Sequence, residues 1–183
     1  PGVYEVELGF SVNDILEMVG KSENVQAVQV GGPSGLLIGT DEFERILGYE
    51  DLATGGSLII IGEKRDILND IVMNFTDFFI EESCGSCSTC RILPTVLKSK
   101  LQKILDARGV PKDIEDMVEW GKILKASRCG LGQTAANPIL TSIKNFRHLY
   151  DDKVQRNKEF DSGFDMLNAV KEACEVTGRV ANV

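Results

Sequence analysis

Three cysteines at equal short spacing, Cys84, Cys87 and Cys90, form a C-x2-C-x2-C run, and a fourth, Cys129, follows far downstream. No other feature restricts the fold and chemistry of the chain so tightly. Five cysteines is an odd count, and three of them packed this closely suit a metal site better than a disulfide framework. A four-iron cubane needs one thiolate on each iron. Three closely spaced cysteines wrap around one corner of it while a distant fourth closes the other side. Structural zinc more often draws on two separated C-x2-C pairs, whereas here the distant half supplies a single cysteine. The spacing therefore predicts one [4Fe-4S] cluster with Cys84, Cys87, Cys90 and Cys129 as its metal ligands. The alternative is an interaction module without redox activity, in which the same cysteines hold a structural zinc. Cys174 stands apart and reads as a free, packed thiol.

The residues around the run fit the same chemistry. Gly85, Ser86, Ser88 and Thr89 are small, so backbone N–H groups can approach the sulfurs, where hydrogen bonds help set a reduction potential. Arg91 and Arg128 each adjoin a proposed ligand. They either offset the negative charge of a cluster or are plain solvated side chains. Gly130-Leu131-Gly132-Gln133-Thr134-Ala135 matches G-x-G-x-x-A, but it follows a helix and a cysteine where a dinucleotide site requires a preceding strand. The loop Gly31 to Gly35 reads as a turn between strands. His148, the single histidine, has no ligand or nucleophile partner nearby in sequence, and Trp120 with Phe75, Phe78 and Phe79 reads as core.

Composition removes several classes. With 28 acidic against 20 basic residues and a formal charge of -8, the chain has no broad basic face for a phosphate backbone, so no nucleic-acid partner is expected. At 183 residues and 43% hydrophobic content, it can bury a real core. The apolar runs at 55–62 and 71–80 are too short or too interrupted to span a bilayer, so no membrane span is expected. The start of the chain lacks the pattern of a secretory signal, and a cytoplasmic setting is the expectation.

The hydrophobic period changes along the chain and predicts an α+β fold: a small β-grasp-like domain followed by a four-helix bundle carrying the metal site. Residues 1–65 form the first domain. Val3 to Leu8 alternates as a strand, Ser11 with Asp14 starts a helix that Gly20 ends, and Val25 to Val30, Leu36 to Ile38 and Ser57 to Ile61 read as strands. Residues 66–150 form the bundle. A first helix runs from Asp66 with a stripe of Ile67, Leu68, Ile71, Val72, Phe75, Phe78 and Phe79, and stops at Ser83. A second spans Leu93 to Ala107 and is closed by Gly109, and a third runs from Pro111 to about Lys125. A fourth, N-capped by Asn137, presents Ile139, Leu140, Ile143 and Phe146 inward. Residues 151–183 are a C-terminal extension, polar to Gly163 and then helical from Phe164 to Val176.

Three stretches carry a family resemblance: 78–91 around the cysteine run, 128–135 from Arg128-Cys129 to Ala135, and Asn137-Pro138 leading to Asn145-Phe146-Arg147. On these the chain resembles the C-terminal part of the NADH-binding flavoprotein subunit of respiratory complex I. It is similar also to the counterparts in NAD-reducing and electron-bifurcating hydrogenases and in NAD-dependent formate dehydrogenases. Pro1 to Val6 resembles the opening of the soluble-ligand-binding β-grasp domain that precedes the cluster domain there, and the tail is closer to the hydrogenase and formate dehydrogenase branches. The resemblance implies a relay of single electrons through the cluster, with FMN and NAD(H) held on a missing or partner module. Implied partners are that flavin- and NADH-binding module and other iron–sulfur subunits. Nothing in this chain resembles the glycine-rich loops of the flavin module, so it is not expected to be catalytic alone.

Overall fold

A computed structural model describes residues 1–20, 23–158 and 166–180. Its architecture is α+β: one three-stranded sheet and a set of helices packed against it.

The first helix, α1 (Val12–Met18), forms because Ser11 and Asp14 make a reciprocal capping box. Ser11 Oγ accepts from the Asp14 amide at 3.0 Å, and Asp14 Oδ2 accepts from the Ser11 amide at 2.9 Å, satisfying donors that a helix start leaves free. Gly20, with φ of +65°, turns the chain out of it. Strands β1 (Val25–Val30), β2 (Leu36–Gly39) and β3 (Leu58–Gly62) follow in the antiparallel order β2-β1-β3. The β1–β2 turn needs glycine at Gly35, where a Cβ would collide with the Val30 carbonyl. The loop Gly31 to Gly35 is thus the turn its composition predicts.

Strand alternation gives the sheet two buried faces. Val28, Val30 and Ile38 pack with Val12, Ile15, Leu16, Phe43, Leu47 and Leu52. Ala27, Leu37 and Ile61 face the other way, into the helical core. The predicted strand Val3 to Leu8 does not form. Gly9 donates to the Leu47 carbonyl, but the residues before it join no described strand, and Val3 is fully exposed. Alternation without a partner ladder does not make a strand.

From Asp66 the chain first winds as a π-helix, Ile67–Met73, and then as α2 (Asn74–Glu81). Asp66 Oδ1 accepts from the Leu68 and Asn69 amides at 2.9 and 3.0 Å. Most of the predicted stripe is buried, but Phe78 is 39% exposed and meets buried Phe79 edge-on. Helix α3 (Ser88–Leu105) begins inside the cysteine run, five residues before the predicted start at Leu93. It packs on α4 (Pro111–Ile123), whose Pro111 sits at its start. Asp113 joins the two: Lys100 and Lys103 donate to its carboxylate at 2.7 and 2.9 Å, and Lys100 also reaches Asp116 at 2.9 Å and lies 4.7 Å over the half-buried Trp120 ring.

After a short α5 (Gly130–Thr134), α6 (Asn137–Asn145) lies along the outer edge of β2. Asn137 is the first residue of α6, after Ala136, rather than its N-cap. Its amide instead donates to the Ser34 carbonyl at 2.7 Å. One and two turns on, Thr141 Oγ1 accepts from the Leu37 amide at 3.2 Å and Asn145 donates to the Leu37 carbonyl at 2.8 Å. Polar side chains spaced by four thus satisfy an edge strand that would otherwise offer bare backbone. The opposite face of α6 buries Ile139, Ile143 and Ser142. Helix α7 (Arg147–Asp151) carries fully buried Tyr150, whose hydroxyl is 2.6 Å from Ser142 Oγ. Burial holds the Tyr150 phenol well above its ordinary value, with the Ser142 hydrogen bond opposing. Beyond it, α8 (Met166–Thr177) matches most of the predicted terminal helix, while Phe164 lies outside the described residues. No described helix is long and apolar enough to cross a membrane.

Candidate metal centre

Two segments far apart in sequence bring the four cysteines of the motif to one place. Helix α2 ends at Glu81 and delivers Ser83 and Cys84. Gly85, with φ of +70°, bends the chain back so that Cys87 becomes the residue capping α3 and Cys90 falls in that helix's first turn. A single turn of 3-10 helix after α4 (Leu124–Ala126) then sets Ser127, Arg128 and Cys129 opposite them, with Cys129 capping α5. Cys84, Cys87, Cys90 and Cys129 line one cavity of about 180 Å3, together with Glu82, Ser83, Ser86, Ser127 and Leu131. Cys174 is not among its lining residues.

The cavity opens at the surface. Cys90 forms its floor at 7% exposure and belongs to the main hydrophobic core, Cys87 is half-buried, and Cys84 and Cys129 are exposed at the rim. Among the described residues, no three His, Cys, Asp or Glu side chains converge closely enough to hold a single metal ion.

Two hydrogen bonds reach these sulfurs among the described residues. The Arg128 amide donates to Cys87 Sγ at 3.5 Å, and Ser83 Oγ lies 3.3 Å from Cys90 Sγ. The N-terminus of the 18-residue α3 adds the positive end of its dipole beside Cys87 and Cys90, which favours thiolate and any anionic group there. Arg91 and Arg128 are exposed and make no ion pair among the described residues. Of the two, Arg128 acts on a sulfur through its backbone.

What fixes Cys129 against the run is packing. Thr89 Oγ1 and Ser127 Oγ are 3.1 Å apart and bridge the two segments. Gln133 donates to the Ser127 carbonyl at 2.9 Å. Gly132 lies so close that a Cβ would stand 2.6 Å from Ser127 Cβ and 3.3 Å from Cys90 Cβ. The G-x-G-x-x-A match is therefore a close-packing device in α5: it follows the 3-10 turn and not a strand, and lacks the strand-to-helix setting of a pyrophosphate cradle. Lys98 on α3 pairs with Asp77 on α2 at 2.5 Å across the base of the run. His148 is exposed.

Sequence reasoning missed Ser83, Ser127 and Gly132. The start of α3 was hidden because cysteine is not a usual cap and Pro94 sits within the helix. Proline has no N–H to return to the Cys90 carbonyl, and its place in the sequence suggests a helix beginning after the run. A larger cavity of about 810 Å3 lies between the N-terminal segment, α1 and β3, lined in part by Tyr4, Ile15, Val19, Leu58 and Ile60. No cysteine of the motif borders it.

A surface-opening cavity bounded by four cysteines from a C-x2-C-x2-C run and a distant loop is an arrangement suited to an iron–sulfur site. The resemblance drawn from the cysteine motifs holds: residues 70–153 match the family model of the NADH-ubiquinone oxidoreductase-F iron–sulfur binding region. The chain is 42% identical over 160 residues to the NAD-reducing hydrogenase HoxS subunit alpha of Cupriavidus necator, a match covering 86% of this chain and 26% of that protein. It is 31% identical to a subunit of the NADH-quinone oxidoreductase of Mycobacterium tuberculosis, over 82% of this chain and 36% of the other. A crystal structure of an NAD+-reducing [NiFe]-hydrogenase in the H2-reduced state superposes with a TM-score of 0.85 at 30% identity, covering all of this chain and 32% of that one. The chain thus spans about a third or less of the proteins it matches.

Proposed function

We propose that Cys84, Cys87, Cys90 and Cys129 hold one [4Fe-4S] cluster, and that the chain relays electrons within an NAD(H)-linked oxidoreductase of the hydrogenase or complex I kind. The observation that carries this reading is the meeting of all four motif cysteines on one cavity from two segments far apart in sequence. The spacing supports a four-iron cluster over a single zinc, because three close cysteines with one distant partner suit a cubane, whereas structural zinc more often draws on two separated C-x2-C pairs. Such a cluster accepts and gives up one electron at a time. The chain's own residues then divide the work. Cys90 roots the site in the core, the Arg128 amide and the α3 N-terminus oppose the accumulated negative charge, and the apolar floor excludes water. Cys84 and Cys129 at the rim present the edge through which an electron would enter or leave.

In this reading residues 1–65 form a β-grasp-like unit, 66–150 a four-helix cluster bundle and 151–183 an extension. Electrons come from a flavin site on another module that takes them from NADH, and pass to further iron–sulfur subunits. The names of the relatives and the small share of their length that this chain spans support such a multi-subunit setting. The cytoplasm is the proposed compartment.

The test mixes the anaerobically reconstituted chain with NADH, with and without a flavin-containing NADH-oxidising subunit. Bleaching of the visible absorption and a new paramagnetic signal are expected only when the flavin subunit is present, and with dithionite in either case. Reduction by NADH without flavin, or an absorption that neither donor bleaches, would overturn the relay.

A further inference from the structure

The hydroxyl of Ser83 has its O–H free to donate once the four cysteines act as ligands. Its Oγ accepts from the Gly85 amide at 3.2 Å, an arrangement that the positive φ of Gly85 makes available. The same oxygen lies 3.3 Å from Cys90 Sγ. Between a serine and a free thiol, either partner can donate. A metal-bound cysteine is a thiolate and carries no proton, so the donor must be Ser83. From these contacts we propose that Ser83 is a positioning residue that donates a hydrogen bond to the Cys90 thiolate and raises the reduction potential of the cluster. The inference rests on the cluster reading above.

The placement favours a sizeable effect. Cys90 is the most buried of the four thiols, at 7% exposure, so water competes little for its sulfur and a donor there acts in a low effective dielectric. Reduction adds one electron and one negative charge, and no proton. The sulfurs become better acceptors, and a donor on one of them stabilises the reduced state more than the oxidised one. The second hydrogen bond to a motif sulfur, from Arg128 to Cys87, comes from the backbone. Ser83 is therefore the contact that a side-chain substitution can remove cleanly. Ser83 lies two residues past the end of α2, a helix that buried Phe79 anchors to the core.

The experiment measures iron, sulfide and zinc first, and then titrates the potential with dithionite and mediators while following the paramagnetic signal. The proteins are the wild-type chain, Ser83→Ala, Ser83→Gly, Ser83→Thr and Ser86→Ala. Ser86 also lines the cavity but makes no described hydrogen bond to a sulfur. Removing the hydroxyl in Ser83→Ala and Ser83→Gly should make one-electron reduction three- to tenfold less favourable, where about tenfold corresponds to about 59 mV for a one-electron couple. Ser83→Thr should restore the wild-type potential, and Ser86→Ala should leave it unchanged. A potential that moves less than threefold in the Ala and Gly variants would overturn the proposal, as would an equal shift in Ser86→Ala. Loss of iron in both Ala and Gly variants would assign Ser83 to assembly and overturn it as well. Stoichiometric zinc without sulfide in the wild type would overturn the cluster reading itself, and the metal analysis tells that failure apart from a flat potential.

Discussion

Replacing Gly132 by alanine should release the cluster while leaving the protein folded. A Cβ at Gly132 would stand 2.6 Å from Ser127 Cβ and 2.9 Å from Ser127 Oγ, where ordinary contact begins near 3.4 Å. Relief requires α5 and the Ser127 loop to separate by roughly 0.8 Å, and Cys129 caps the helix that must move. Overpacking of this kind costs about 1–3 kcal/mol, and alanine returns up to about 1 kcal/mol in helix propensity. The protein without metal should therefore lose about 2 kcal/mol at the upper end of that cost, or roughly 4–8 °C in melting temperature for a chain of this size. The metal site has no such slack, because displacement of one ligand by most of an ångström exceeds the tolerance of a bonded thiolate. After anaerobic reconstitution, iron and sulfide per chain should fall well below the wild-type values, and a chelator should strip the remainder several times faster. Gly130→Ala is the matched control, since a Cβ there meets nothing within 4 Å, and it should behave as wild type. If Gly132→Ala retained iron and chelator resistance equal to Gly130→Ala, the claim that close packing of α5 sets Cys129 would be refuted.

Cys129→Ser should damage metal retention as badly as Cys87→Ser, and Cys174→Ser should leave it intact; a reversed pattern in the metal content would replace the ligand set. Burial raises the Asp113 carboxyl, but hydrogen bonds from Lys100, Lys103 and the Val110 amide outweigh it and hold the group below its ordinary value. A carboxylate lowered in the folded state contributes stability above its unfolded value near 4 and loses it as pH falls through the folded value. The α3–α4 pair should therefore loosen on acidification below about pH 4. Asp113→Asn should remove that part of the pH dependence and cost about 1–3 kcal/mol at neutral pH in a denaturant titration. Asn145→Ala should cost about 1–2 kcal/mol by leaving the Leu37 carbonyl without its partner, read from the same titration, and hydrogen exchange should rise first in β2.

Much of the fold was legible because its signals are local. The Ser11–Asp14 box, the glycine-rich turn before β2 and the change of period at Asp66 each act within a few residues; the first two produced the elements they predict, and the third produced helical structure that opens as a π-helix before α2. Val3 to Leu8 failed as a strand because a strand depends on a distant partner, which alternation does not specify. The role of α6 was hidden for the same reason. Asn137 reads as an N-cap, and the contacts of Asn137, Thr141 and Asn145 become visible only when β2 and the turn before it are placed beside them. At the site, the four cysteines were legible from spacing, and the structure gathers them on one cavity. The residues that hold the cysteine segments together were not, because Thr89, Ser127, Gly132 and Gln133 act across a long sequence separation through contacts with no motif of their own.

The central claim, that Cys84, Cys87, Cys90 and Cys129 hold one four-iron cluster, is tested most directly by counting atoms. The chain is to be reconstituted anaerobically with both iron and zinc available, desalted, and assayed for iron, zinc and acid-labile sulfide. About four irons and four sulfides per chain, with zinc negligible, are expected. About one zinc per chain with no sulfide would contradict the account.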